Sequence, residues 1–217
     1  QIETIKSCFT EALAQDIRRD YGAAKVITTT NVFAHMATLG EVMRGIMALL
    51  DSDGIFVTES HYLLDVINTA QYDTIYHEHI RTYSLKSLVT LFGFYDLDVF
   101  DVERADRYGG NIRAYVCRRG SRPISKDVAA LLQLEDEFGP RPPSVYDTVR
   151  SKAYQSRDML MELAYKARRD GKRFVGNSCP GRCSTLLNFC GMDSELMPYI
   201  AEQPTSLKLG KYLPGRH

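Results

Sequence analysis

Tyr76-His77-Glu78-His79 is the richest run of hydrogen-bonding and titratable side chains in the chain. A histidine titrates near neutral pH and can take a proton from a carbon next to a carbonyl. It needs a carboxylate or second histidine to raise its basicity and a donor to stabilise the enolate. Glu78 or His77 could give the first kind of help. In an extended chain His77 and His79 point one way and Tyr76 and Glu78 the other, so a bend would be required to bring Glu78 and His79 into one pocket. Two other readings stand beside proton transfer. His35, His77 and His79 could ligate zinc as a His-x-His pair plus a distant histidine, which ranks lower, and four polar residues in a surface loop are often solvated and inert.

Other candidates follow from position. Ligands bind open parallel sheets at the carboxyl ends of strands, where loops and helix amino termini converge. Asn31 and His35 fall at one such end, and Glu59, Ser60 and His61 at the next. The plain alternatives are a helix cap for Asn31 and a packed core histidine for His35. Gly176–Gly181, GNSCPG, follows a strand and precedes a helix, but Ser178 stands where a dinucleotide fingerprint needs its second glycine and no Gly-Lys-Ser/Thr follows, so it reads as a turn.

The elements that must position these residues are legible as periodicity. Ile5 to Ile17 is helical, AAKVITTTN is a short β-branched run of the buried-strand kind, Leu39 to Leu50 is helical again, and GIFVTES is a second buried strand. Asp51-Ser52-Asp53-Gly54 reads as the stop before that strand. Helical LLDVINTA leads into the loop QYDTIYHEHIRTY, and Ser84 is placed to cap the periodic LKSLVTLFGF. LDVFDVE and NIRAYVCRR alternate around Gly109-Gly110, the pattern of a hairpin. GPRPPS precedes a long helical segment from Val145 to Arg169, followed by a strand, KRFVG, and a helix, STLLNFCGM. The expected division is 1–120, a linker at 121–144, and a second α/β unit at 145–217.

Composition narrows the function classes. The 217 residues are 44% apolar and 10% aromatic, enough for a substantial core. Lys and Arg number 27 against 27 Asp and Glu, so no basic field exists to attract nucleic acid. No run approaches the roughly 18 apolar residues of a membrane span, and the first twenty residues read as a charged amphipathic helix, so no membrane partner and a cytoplasmic location are expected. Cys8, Cys117, Cys179, Cys183 and Cys190 contain no Cys-x-x-Cys pair, which argues against a disulfide framework or structural zinc.

NVFAH, GIFVTE, YDTIYHEH, YSLKSL, DVERADRYGGNIRAYV and STLLNFCG, in this order, resemble the sugar C-methyltransferases that alkylate carbon 3 of nucleotide-linked 4-keto deoxysugars. The resemblance covers nearly the whole chain. It implies a partial Rossmann-like class I methyltransferase sheet followed by a second α/β C-terminal domain, S-adenosylmethionine as cofactor, and zinc only in an amino-terminal part not contained here. The likeness makes His79 the general base with Glu78 beside it. Tyr76 and His35 line the reacting sugar, Asn31 is the strand tip beside the cofactor, and Glu59 is an acid at the next strand end. His77, Arg113 and Arg182 are expected to bind the nucleotide-sugar. His61 stands where the family has Pro, and Arg182-Cys183-Ser184 where it has Lys-Gly-Asn.

The chain starts without Met, inside what reads as a helix, and lacks the glycine-rich cofactor loop, so it is expected to be a fragment whose unpaired sheet edge favours self-association. The alternative is a non-catalytic module that binds a nucleotide-sugar or partner surface.

Overall fold

The structure is a computed structural model that describes residues 3–138, 144–213 and 215. In chain order it contains α1 (Glu11–Tyr21), β1 (Ala24–Thr30), α2 (Leu39–Leu49), β2 (Leu50–His61), α3 (Leu63–Asn68), α4 (Leu85–Gly93), β3 (Leu97–Ala105), β4 (Asn111–Arg118), α5 (Lys126–Phe138), α6 (Ser144–Arg169), β5 (Gly176–Asn177), α7 (Cys183–Cys190) and β6 (Ile200–Ala201). Packing divides the chain into two compact units, Gln1–Asp65 with Ile80–Pro140, and Val66–His79 with Arg141–His217.

The first unit is built on a mixed sheet of order β1-β2-β4-β3, in which β1 runs parallel to β2 while β4 is antiparallel to both β2 and β3. The hairpin expected around Gly109-Gly110 is β3–β4. It buries Val99 and Val102, with a register shift between them, from one strand and Ile112, Ala114 and Val116, at alternate positions, from the other. Helix α1 begins where the Thr10 hydroxyl accepts the Leu13 amide at 3.2 Å, not at Ile5 as the periodicity suggests. Helix α2 buries Val42, Met43, Ile46 and Leu49 at helical spacing, and a side chain at its Gly45 would sit 2.8 Å from the Phe9 ring. Phe33, Phe56 and Phe92 form the aromatic centre, with centroids 5.8–6.1 Å apart.

Two sequence expectations change. Asp51–Gly54 does not stop the chain before β2 but lies within that strand, because the register skips between Ala24↔Leu50 and Val26↔Ile55 and so absorbs the extra residues. A Cβ at Gly54 would meet the Ala24 carbonyl at 2.8 Å, so glycine is what permits the close approach. The interval 121–144, expected to be a linker, contains α5. That helix buries Val128, Leu131 and Glu135, and the Glu135 carboxylate accepts the backbone amides of Leu85 at 2.5 Å and Lys86 at 2.9 Å and the Tyr62 hydroxyl at 3.0 Å. It thereby caps α4 from outside, alongside the reciprocal Ser84–Ser87 capping box. Residues 139–143, most of the proline-rich stretch, lie outside the described residues.

In the second unit α6 and α7 pack around Ala164, Leu187, Cys190, Met192, Leu196 and Met197. The strand expected at KRFVG shrinks to Gly176–Asn177, because its parallel partner offers only Ile200–Ala201. This unit also takes in residues 66–79, which sequence reasoning grouped with the first 120. Among the described residues no helix is long and apolar enough to cross a membrane.

Candidate active site

Asn31, His35, Glu59 and Arg113 belong to the first unit, whereas Tyr76, His77, Glu78, His79 and Arg182 belong to the second.

In the second unit the chain bends at this string. The amide of His79 donates to the carbonyl of Tyr76 at 3.0 Å, a four-residue turn that brings its first and last side chains together. The Tyr76 and His79 rings lie 4.5 Å apart, and the Tyr76 hydroxyl is 3.3 Å from His79 Nε2. On its other side His79 Nδ1 lies 3.0 Å from the carbonyl oxygen of Thr74. A carbonyl oxygen only accepts, so Nδ1 carries the proton, and in the neutral ring Nε2 is the lone pair to which the Tyr76 hydroxyl donates. Burial, reinforced by the charge of Glu78, raises the Tyr76 pKa, so the phenol stays protonated at neutral pH. His77 and Glu78 occupy the exposed middle of the turn, with side chains 84% and 56% accessible and His77 Nε2 3.9 Å from the Glu78 carboxylate. What the bend closes is therefore Tyr76 on His79.

Arg182, expected to bind substrate, forms a two-pronged ion pair with Asp73, with Nε and Nη2 each 2.7 Å from a carboxylate oxygen. GNSCPG, read as a turn, instead opens with Gly176–Asn177 in β5 and reaches a turn only at Gly181. It brings Gly181 against the Tyr76 ring, where a Cβ would lie 3.0 Å from Cε2.

In the first unit the strand tips gather a buried polar cluster. Asn31 adopts a left-handed backbone, φ 52°, which asparagine tolerates better than most residues, and its amide donates to the Glu59 carbonyl at 2.8 Å. The antiparallel register puts Glu59 opposite Arg113 and His61 opposite Asn111. Arg113 donates to Glu59 through Nε at 2.9 Å and Nη2 at 2.7 Å, and to Glu103 at 3.0 Å, so this expected substrate contact is engaged inside the protein. Asn111 donates to Glu59 at 2.9 Å and to Asn31 Oδ1 at 3.2 Å, which makes it the bridge between acid and strand tip. Burial pushes the Glu59 carboxyl up, but the hydrogen bonds from Asn111 and Arg113 outweigh it and hold the pKa below its usual value. His35 is half-buried in the 3₁₀ turn Phe33–His35, its amide bonded to the Val32 carbonyl at 2.9 Å.

Sequence reasoning missed Asn111, Asp73 and Thr74. Asn111 had a signal, since it opens the second hairpin strand directly after Gly109-Gly110. Asp73 had none, because its partner lies 109 residues away. Among the described residues no group of three or more His, Cys, Asp or Glu side chains could hold a metal ion.

A solved S-adenosylmethionine-dependent methyltransferase from Anabaena variabilis superposes with a TM-score of 0.40 at 13% identity, over 54% of this chain and 58% of that one. The C-methyltransferase NovU of Streptomyces niveus is 34% identical over 215 residues, covering 99% of this chain and 51% of that protein, so the chain spans about half of its relative's length. The family model described as the C-methyltransferase C-terminal domain matches residues 106–217, a stretch that includes the hairpin strand of Asn111 and Arg113 and the helix that follows Arg182. The chain belongs to the C-methyltransferase family.

Proposed function

We propose that the protein serves S-adenosylmethionine-dependent C-methylation of a nucleotide-linked keto-deoxysugar, in cytoplasmic deoxysugar biosynthesis, with His79 as the base. The observation that carries this reading is the hydrogen bonding of His79. Thr74 holds the proton on Nδ1, so the basic lone pair is on Nε2, beside a phenol that stays protonated. His79 takes the proton from the carbon next to the ketone, and the electron pair left behind delocalises onto the keto oxygen. The Tyr76 hydroxyl donates to that oxygen as charge develops. The resulting imidazolium is stabilised through the same Nδ1–H bond to Thr74. His77, exposed in the middle of the turn, is the proposed contact to the nucleotide-sugar.

S-adenosylmethionine, when bound, supplies an electrophilic methyl group on a sulfonium centre. The residues present fit one edge of it. Asn31 presents polar groups at the carboxyl end of β1, and the buried Asn111 Oδ1 beside it has no partner among the described residues. No glycine occurs in the segment Asn31–Thr38 that follows the strand.

Solvent-deuterium exchange into the carbon beside the ketone of a nucleotide-linked 4-keto deoxysugar tests the base apart from methyl transfer. Exchange is expected with the wild type and is expected to fall about 10²–10⁴-fold in His79→Ala. Unchanged exchange in that variant would remove His79 from the role. Binding of the sugar with no exchange in the wild type would favour a non-catalytic binding module.

A further inference from the structure

The loop that carries Tyr76 and His79 is gripped at four points by residues 181–189, the turn that leads into α7 and most of that helix. The Tyr72 ring packs on Phe189 with centroids 4.9 Å apart. Asp73 receives both prongs of Arg182 at 2.7 Å, and the Ile75 carbonyl accepts the Thr185 hydroxyl at 3.3 Å. The Tyr76 ring lies against Gly181, where any side chain would intrude. Thr74 sits between the gripped residues, 4% exposed, with its amide and its hydroxyl both donating to the Gln71 carbonyl at 3.0 and 2.7 Å. Its own carbonyl is the group that accepts His79 Nδ1.

The geometry points to Arg182 as a positioning residue: through Asp73 it fixes the Thr74 carbonyl, which in turn sets the tautomer and orientation of His79. This deepens the proposed function and rests on it for its catalytic meaning, although the positioning itself does not depend on activity. The ion pair is suited to the task. Its side chains are 33% and 21% exposed, so neither is freely solvated, and two parallel N–H···O bonds fix direction as well as distance. A lysine would supply the charge without the fork. With Nε and Nη2 both on Asp73, the fork of the guanidinium is directed at the loop.

Nitrogen-15 imidazole spectra of histidine-labelled protein read this directly, with the His79 signals assigned by their loss in His79→Gln. The wild type is expected to show the Nδ1–H tautomer. Arg182→Ala and Asp73→Asn are expected to shift the ring towards the Nε2–H form that free imidazole prefers, and Arg182→Lys to retain part of the wild-type preference. In parallel, kcat should fall about 10²-fold with KM unchanged, the pattern of a displaced catalytic group. An Nδ1–H tautomer that survives in the folded variants overturns the proposal, as does a rise in KM with an unaltered tautomer, which would mean that Arg182 touches substrate. Should Arg182→Ala fail to fold, the nearly isosteric Asp73→Asn decides the matter. A shifted tautomer in a protein whose exchange never depended on His79 would uphold the clamp and sink the assignment of the base.

Discussion

Replacing Arg113 by alanine leaves the Glu59 carboxylate, 3% exposed, with Asn111 as its remaining side-chain donor. Breaking a buried pair in this way costs about 3–5 kcal/mol, and because Arg113 is itself 34% exposed, water can enter its place and the lower end, about 3 kcal/mol, is expected. For a protein of this size that lowers Tm by roughly 6–12 °C. Glu59→Gln removes the charge but keeps a carbonyl for Asn111, and should cost about 2 kcal/mol through the lost charge-assisted bonds. The double variant should cost little more than Glu59→Gln alone, since no buried charge is then stranded. Thermal and urea unfolding of the four proteins at neutral pH measure the cycle. The pH dependence has a definite sign. Glu59 has a depressed pKa in the folded state, so its stabilising contribution is fully present above the unfolded value of about 4.3 and is lost as pH falls through the lower folded value. The gap between wild type and Glu59→Gln should therefore be flat near neutrality and close below about pH 4. A change of less than about 0.5 kcal/mol in Arg113→Ala, or costs that simply add in the double variant, would refute the reasoning.

Three further outcomes are expected. Tyr76→Phe keeps the ring against Gly181 but removes the hydroxyl, and should lower proton exchange by about 10²-fold with little change in Tm, as seen by exchange assay and calorimetry together. Glu135→Ala strands the Leu85 and Lys86 amides and the Tyr62 hydroxyl at once, and should destabilise by about 3 kcal/mol in urea unfolding, with Glu135→Gln costing less because one acceptor survives. Strand β1 pairs only with β2 among the described residues, and its Val26 is 56% exposed, so concentration-dependent self-association is expected in sedimentation and should be reduced by Val26→Lys; a single species at every concentration would dismiss it.

The first unit's sheet was legible because its signals are local. The alternation on either side of Gly109-Gly110 marks the hairpin, and β-branched runs mark β1 and β2, although β1, expected to be buried, contains no buried residue because it pairs on one side only among the described residues. Helix α5 was not read, since its burial depends on Glu135 reaching the start of α4, a contact no local pattern announces. The strand at KRFVG failed for a related reason, as its length is set by its partner. At the candidate site the polar string 76–79 was visible by residue type, but the identity of the pair within it was not. A four-residue turn unites positions one and four, Tyr76 and His79, where the sequence reading looked for a bend that pairs Glu78 with His79. Arg113 and Arg182 were expected to bind the nucleotide-sugar; register and a distant acid also give them partners inside the protein.

The grip of residues 181–189 on residues 72–76 also has a consequence in time. Asp73 and Arg182 are 109 residues apart, so at typical rates of synthesis the loop that carries the proposed base leaves the ribosome about 5–20 s before the residue that clamps it. During that interval the Thr74 carbonyl has no fork behind it to hold its direction. The proposed base is among the earlier parts of this chain to be made, and its clamp among the later.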